Sequence, residues 1–273
     1  MDYLDKLESQ SIYLLREARH AFKNICMLWS MGKDSNVLIW LSKKAFIGKI
    51  PYPLLHIDTT YEFPEMLEFR AWAKKFYDFD LIIKINDEAR SGSGAYSEVI
   101  GYETHDPITV THELKTVALQ QVLKEKKFDA LITGIRRDED ATRAKERYFS
   151  PRTVASTWNY KNQPPESWDQ IIEEIPPGGH MRIQPLLDWT EIDIWRYVER
   201  ESIPIPQMYF SREGKRYRSL GCSPITKPIA SNAVTIPEII NELQETKSSE
   251  RAGREQDHHE RYAMQKLRAK GFL

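Results

Sequence analysis

The feature that most constrains this chain is the passage of a short apolar run, residues 25–29 (ICMLW), straight into Ser30-Met31-Gly32-Lys33-Asp34-Ser35, after which apolar residues resume at 37–41. A fully apolar run of this length reads as a buried strand, and the restart reads as a helix. A strand that turns tightly into a helix belongs in an open α/β sheet, where ligands sit beyond the carboxyl ends of the strands. Backbone amides and the positive end of the helix dipole meet there, which suits phosphate. Gly32 lets the backbone approach an oxyanion with no Cβ between them. Ser30 and Ser35 offer hydroxyls, Lys33 adds charge, and Asp34 can cap the helix or help to hold a metal. The plainer reading is a turn with a serine cap. No Gly-Lys in the chain is followed by Ser or Thr, so this is not a Walker A loop.

The rest of the pattern places the loop. Residues 3–22 carry a helical rhythm, 53–57 read as a second buried strand, and a helix follows from about 62 to 76 with Pro64 in its first turn. Residues 81–83, 130–133 and 181–183 add three strands, with a helix expected over 110–126 and another opening at 188–191. Strands alternating with helices predict an α/β fold with a doubly wound, mainly parallel five-stranded sheet and helices on both faces. Residues 86–107 form a Gly/Ser-rich loop long enough to be functional. The stretch 150–180, with Trp158 and Trp168, reads as irregular, and two polar helices are expected at about 235–245 and 249–270. We assign 1–200 to an ATP-binding α/β domain and 201–273 to an irregular and helical extension that completes the site or binds a partner.

Three further constellations carry chemistry. Asp58, at the end of the second strand and beside the first loop, can hold a ribose hydroxyl or Mg²⁺, whereas Thr59 and Glu62 also match a capping box. His56, within an apolar strand, reads as structural. Gly134-Ile135-Arg136-Arg137 opens a stretch of six basic residues within nineteen, through Arg143, Lys145, Arg147 and Arg152. Guanidinium groups grip phosphate or sulfate oxygens bidentately, although interspersed acids also allow a solvated helical face. Arg216 and Arg218, near Cys222, can complete an anion site, whereas Arg251 and Arg254 lie in a tail whose basic residues are mixed with acids and read as a solvated helix or partner surface.

Bulk composition narrows the classes. A net charge of -1 gives no overall attraction to nucleic acid or anionic membrane. Two cysteines exclude a disulfide scaffold or a Cys-rich cluster. The N-terminus lacks the apolar core of a signal peptide and no apolar run approaches a membrane span, so the chain reads as cytoplasmic.

The loop is similar to the PP-loop, the pyrophosphate-binding signature of enzymes that split ATP between its α- and β-phosphates. Together and in order, LWSMGKDSNVL, PLLHIDTTYEFPEMLEFR, KFDALITGIRRDEDATRAKER, PLLDWTEIDIWRYV, RSLGCSPITKPIASNAVTIPEIINEL and SSERAGR resemble the small subunit of bacterial sulfate adenylyltransferase, subunit 2. That family lies in the phosphoadenylylsulfate-reductase branch of PP-loop proteins. The resemblance spans most of residues 28–254 and implies joining of ATP and sulfate to give adenosine 5′-phosphosulfate and pyrophosphate. It also implies Mg²⁺, and a separate GTPase large subunit through which alone GTP acts. Two departures stand out: Met31 occupies the position that is Gly in the general PP-loop signature, although this subunit tolerates a larger residue there, and Thr60 stands where the family usually has Gly.

On this reading Ser30, Met31, Gly32, Lys33, Asp34 and Ser35 cradle the β- and γ-phosphates, and Lys33, Arg136, Arg137 and Arg147 balance charge at the reacting centre. Backbone at Ile57 and Ile135, with Asp58 and Gly134, frames the nucleoside. Asp34 and Asp58 are the Mg²⁺ candidates; Arg216, Arg218, Arg251 and Arg254 are the sulfate candidates. A sulfonucleotide reductase on the same fold is the nearest rival, but it requires a reactive cysteine in a setting that neither Cys26 nor Cys222 has. A tRNA-modifying enzyme lacks support from charge or paired cysteines, and a non-catalytic nucleotide-binding partner stays open.

Overall fold

Apolar positions spaced three and four apart build helix α1 (Tyr3–Ala21), whose start is closed by a reciprocal Asp2–Asp5 capping box. The chain then alternates through β1 (Ile25–Leu28), α2 (Lys33–Ala45), β2 (Leu54–Ile57), α3 (Pro64–Tyr77) and β3 (Leu81–Lys84). In this computed structural model, residues 1–159, 175–246, 250–254 and 262–272 are described. Trp168, Ser248, Ser249 and part of the helix expected at 249–270 lie outside the described residues.

The long loop after β3 carries α4 (Asp87–Ser91) and ends at α5 (Pro107–Thr111), which runs through a π-helical stretch, His112–Val117, into α6 (Ala118–Lys126). There follow β4 (Ala130–Ile132), β5 (Phe149–Arg152), β6 (His180–Ile183) and α7 (Glu191–Glu201). The remainder holds β7 (Lys215–Arg216), β8 (Ile229–Ala230), α8 (Ile236–Glu245) and α9 (Ala263–Ala269).

The main sheet has six strands rather than the expected five, in the order β3-β2-β1-β4-β6-β5. All neighbours are parallel except β5, which runs antiparallel to β6 along the edge. Phe149-Ser150-Pro151-Arg152 has no apolar run, and proline is tolerated only at such an edge. The pairing partner, not local pattern, makes this strand. In the tail, α8 matches expectation, whereas the described part of 249–270 is a 3₁₀ turn over Glu250–Gly253 followed by the short α9.

Alternation along the strands splits the core. Met27, Leu54 and Ile132 point to the face where α1, α2 and α7 pack, while Cys26, Leu55 and Leu131 meet Leu119, Val122 and Leu123 of α6. Both faces are therefore covered, as a parallel sheet requires. The chain leaves β1 toward β2 and β3 on one side and returns through β4 on the other, so the strand order reverses beside β1. That reversal opens a crevice above the carboxyl ends of β1 and β4. Among the described residues, no helix is long and apolar enough to cross a membrane.

Leu131 is fully buried in the thinner core layer under α6. Leu131→Ala should lower stability by about 2–5 kcal/mol. Urea unfolding should read this as a lower midpoint at an unchanged slope.

Candidate functional site

The loop between β1 and α2 is shaped by its own side chains. Asn36 accepts a hydrogen bond from Trp29 Nε1 at 3.0 Å and donates one to the Met31 carbonyl at 2.9 Å, pinning both ends of the turn to the new helix. Met31 takes the left-handed conformation at φ 63°. This costs a non-glycine residue about 1–2 kcal/mol, and the complete burial of the Met31 side chain offsets it with about 1.5–3 kcal/mol. Gly32 has an ordinary φ of -70° and is needed for space: a Cβ there would lie 3.3 Å from Tyr209 Oη and 3.4 Å from Ser30 Oγ. Gly32 caps α2 without a side-chain bond, so Asp34 is not the cap, and the Lys33 amide donates to Tyr209 Oη at 2.9 Å. Ser30 and Ser35 hydroxyls stand 3.4 Å apart, and Ser35 Oγ also donates to the Gly32 carbonyl at 3.0 Å.

A buried ion network ties this loop to two distant segments. Arg136, with no exposed side-chain surface, binds Asp34 of the loop, Asp138 of its own turn and Glu250 of the tail. Lys33 binds the same Glu250 and lies 3.3 Å from Asp34 Oδ2. Burial by itself would raise the Glu250 carboxyl, but Arg136 and Lys33 outweigh it and hold the group well below the usual carboxylate range. Burial would likewise lower the Lys33 ammonium, and Glu250 reverses that. Both groups are charged in the folded protein. Gly134 lets the β4 turn close onto α2, since a Cβ there would lie 3.3 Å from Leu38 Cδ1 and 3.5 Å from Asp34.

These segments surround a cavity of about 220 Å³ above β1 and β4. Ser30, Gly32, Lys33, Asp34 and Ser35 line it, as do Ile57, Gly134 and Ile135, and from the tail Arg251 and Arg254. Glu250, Tyr209, Glu139, Arg143 and Lys115 also line it, and the sequence-based reading did not place them in the site. Arg143 stood in the basic run, where its four-residue spacing from Glu139 pointed to a helical ion pair; that pair forms, inside the cavity wall. Glu250 stood in the SSERAGR stretch, but an acid is not the residue sought at a phosphate site.

Several candidates sit elsewhere. Met31 and Asp58 are outside the cavity lining, as are Arg136, Arg137 and Arg147. Arg137 binds Asp188 and donates to the Glu146 carbonyl at 2.9 Å, with its guanidinium 5.8 Å from the Tyr148 ring centre. Arg216 is buried against Glu242 at 2.6 Å and Ser231 Oγ at 3.1 Å, and Arg218 pairs with Glu191 at 2.7 Å, both away from the lining. The sulfate candidates that reach the cavity are therefore Arg251 and Arg254. Arg254 donates to Ser219 Oγ at 2.9 Å, Thr226 Oγ1 at 3.3 Å and the Leu220 carbonyl, all neutral acceptors.

The turn after β2 also departs from expectation. Helix α3 starts at Pro64 with Phe63 as its N-cap and no side-chain cap bond, so Thr59 and Glu62 form no capping box. Thr59 Oγ1 instead donates to Glu62 Oε1 at 3.1 Å. Asp58 accepts from the Thr60 amide at 2.8 Å and pairs with Arg70 at 2.7 Å, and Thr60 takes φ 66°. His56 lines the cavity together with Glu62, rather than lying in the strand's interior alone.

A parallel sheet with this loop at its switch point and this cavity above it defines a PP-loop nucleotide-binding protein. The phosphoadenosine phosphosulfate reductase domain family matches residues 24–228. Sulfate adenylyltransferase subunit 2 of Colwellia psychrerythraea is 40% identical over 304 residues, covering 100% of this chain and 99% of that protein. Its counterpart from Rhodopseudomonas palustris is 39% identical, covering 99% and 90%. The chain belongs to the sulfate adenylyltransferase subunit 2 family and is a nucleotidyltransferase enzyme. Among solved structures, a phosphoadenylyl-sulfate reductase from Candida auris aligns at a TM-score of 0.56 with 17% identity, over 84% of this chain and 98% of that one. An FMN adenylyltransferase from Candida glabrata aligns at 0.55 with 19% identity, over 82% and 63%. These two share the fold.

Behind the cavity wall, Glu146 lies among Arg152 at 2.8 Å, Arg268, and Gln184 Nε2 at 2.8 Å. Burial would raise its carboxyl, but Arg152 and Arg268 hold it at about 2, below the ordinary 4.5. A lowered folded-state pKa contributes stability that is complete above about pH 4.5 and is lost as pH falls toward 2. The contribution is about 3 kcal/mol at neutral pH. Glu146→Gln should be less stable than wild type at pH 7. The difference between the two proteins in urea unfolding should shrink as pH falls from 4.5 toward 2.

Proposed function

We propose that the chain transfers the adenylyl group of ATP to sulfate, giving adenosine 5′-phosphosulfate and pyrophosphate, as the catalytic partner of a GTPase large subunit. The observation that carries this reading is one cavity shared by the phosphate loop, the Gly134–Ile135 turn and the Arg251–Arg254 segment. A sulfate oxygen attacks the α-phosphorus in line. The bond from that phosphorus to the bridging oxygen breaks, and pyrophosphate leaves with the electron pair. Such chemistry rests on positioning and on charge stabilisation rather than on a covalent nucleophile.

Ser30, Ser35 and the loop amides at Met31 and Gly32 hold the β- and γ-phosphates, with Lys33 beside them. Backbone at Ile57 and Ile135 borders the adenine. Arg251 and Arg254 are the sulfate-binding pair, and Arg143 adds charge between them and the loop. Arg136 acts through Asp34 and Glu250 as a positioning residue, since its guanidinium is wholly engaged by Asp34, Asp138 and Glu250. Of the two Mg²⁺ candidates, Asp34 lines the cavity and Asp58 does not, so Asp34 would hold the ion. When bound, Mg²⁺ neutralises charge on the departing pyrophosphate. GTP acts only through the partner, whose existence the relatives' designation as subunit 2 supports.

A reductase reading requires an accessible thiol. Cys26 and Cys222 are both fully buried, and burial pushes the Cys26 thiol far above its ordinary pKa. This favours transfer over reduction.

The chain copurified with its GTPase partner, given ATP, labelled sulfate and GTP, should release adenosine phosphosulfate only when partner and GTP are present. Ser35→Ala and Asp34→Ala should each cut ATP–pyrophosphate exchange by about a hundredfold or more. Full exchange activity in both variants would exclude the loop from phosphate binding.

A further inference from the structure

We propose that His56, Asp58 and Glu62 form a site for one divalent first-row transition ion of the zinc class, at the edge of the cavity that His56 and Glu62 line. A ring nitrogen of His56 and one carboxylate oxygen each from Asp58 and Glu62 lie within 4.8 Å of one another. His56 is only 2% exposed. Its Nδ1 stands 3.1 Å from the Trp29 carbonyl oxygen, which can only accept, so Nδ1 carries the hydrogen of that bond. In the neutral ring Nε2 then bears a lone pair, and this atom is buried with no hydrogen-bond partner among the described residues. Arg70 answers the Asp58 carboxylate, but the buried Nε2 lone pair stays unsatisfied unless a cation joins the cluster.

The surroundings of the three groups match those of metal ligands. A ligating histidine donates its other N–H to a carbonyl or carboxylate, and ligating carboxylates are themselves hydrogen-bonded. Here His56 donates to Trp29, Asp58 accepts from the Thr60 amide and from Arg70, and Glu62 accepts from Thr59 Oγ1. Each carboxylate oxygen has a second lone pair for an ion. Ligand atoms around zinc stand about 3.3 Å apart, from bond lengths of about 2.0 Å.

An imidazole donor suits zinc, copper, iron or nickel over magnesium, which prefers an all-oxygen shell. Three protein ligands leave a coordination position, and His56 and Glu62 face the cavity, so an ion here would meet a bound substrate oxygen. The ion site is separate from Asp34, and its occupancy does not depend on adenylyl transfer being the reaction.

The test is calorimetric titration of the chelator-stripped full chain with Zn²⁺, without nucleotide and in millimolar Mg²⁺. One ion per chain is expected, with affinity reduced at least about tenfold in His56→Gln and in Glu62→Gln. Circular dichroism checks the variants. If the buried His56→Gln change prevents folding, Glu62→Gln alone decides, because Glu62 is partly exposed. Absence of stoichiometric binding, or unchanged affinity in the folded variants, would overturn the site and assign any bound Zn²⁺ to other histidines. Loss of ATP–pyrophosphate exchange with Zn²⁺ binding intact would bear on the transfer reaction and leave this site standing.

Discussion

Everything at this site depends on the buried contact among Lys33, Asp34, Arg136 and Glu250. Two cations and two acids are withdrawn from water together, and such a group holds only when each charge is matched and hydrogen-bonded. The partners come from three remote pieces of chain: the β1–α2 loop, the turn after β4, and the 3₁₀ turn at Glu250–Gly253. Removing any one leaves a buried charge without its counterpart, at a cost of about 3–5 kcal/mol. The network therefore locks the tail onto the sheet, and so brings Arg251 and Arg254 to the cavity. It also decides which cations face a ligand. Arg136 lies behind the lining on Asp34, Asp138 and Glu250, whereas Arg143 and Arg251, both paired with Glu139, border the open space together with Arg254.

Two of the non-glycine residues with left-handed backbone lie at the ends of β1 and β2, beside this network. Met31, where the general PP-loop signature has glycine, and Thr60, where the family usually has it, both adopt left-handed conformations, at φ 63° and 66°. The conformation is thus retained although the residue that favours it is absent. Met31 recovers the cost through complete burial, and Thr60 through an amide bonded to Asp58 in a tight turn. Each strained residue closes a turn at the end of a central strand, where the backbone must reverse within a few residues to keep the cavity narrow.

The large elements were legible because they follow from local pattern. Apolar runs at β1, β2 and β4 and the helical rhythm of α1 and α3 need only their own residues to be read. The loop at Ser30–Ser35 was legible for the same reason, since a strand, a tight turn and a helix start are adjacent in sequence. β5 was not, because a Pro-containing edge strand is made by the partner it pairs with. Thr59 and Glu62 carried the spacing of a capping box, yet Pro64 starts the helix further on and leaves the pair for other uses. Among the arginines, spacing showed where positive charge is dense but not which guanidinium is already engaged.

The sequence by itself determined the parallel α/β architecture, the position of the phosphate loop within it, and the resemblance that names sulfate as the acceptor. Those follow from periodicity and from adjacent residues, which are properties of the chain read one segment at a time. Only the tertiary structure decided that Glu250 neutralises Lys33 and Arg136, that Arg216 and Arg218 are bound elsewhere while Arg251 and Arg254 reach the cavity, and that His56 is grouped with Asp58 and Glu62. The physical reason is that the role of a charge is set by what lies within a few ångströms of it, and those neighbours arrive from segments up to 217 residues away.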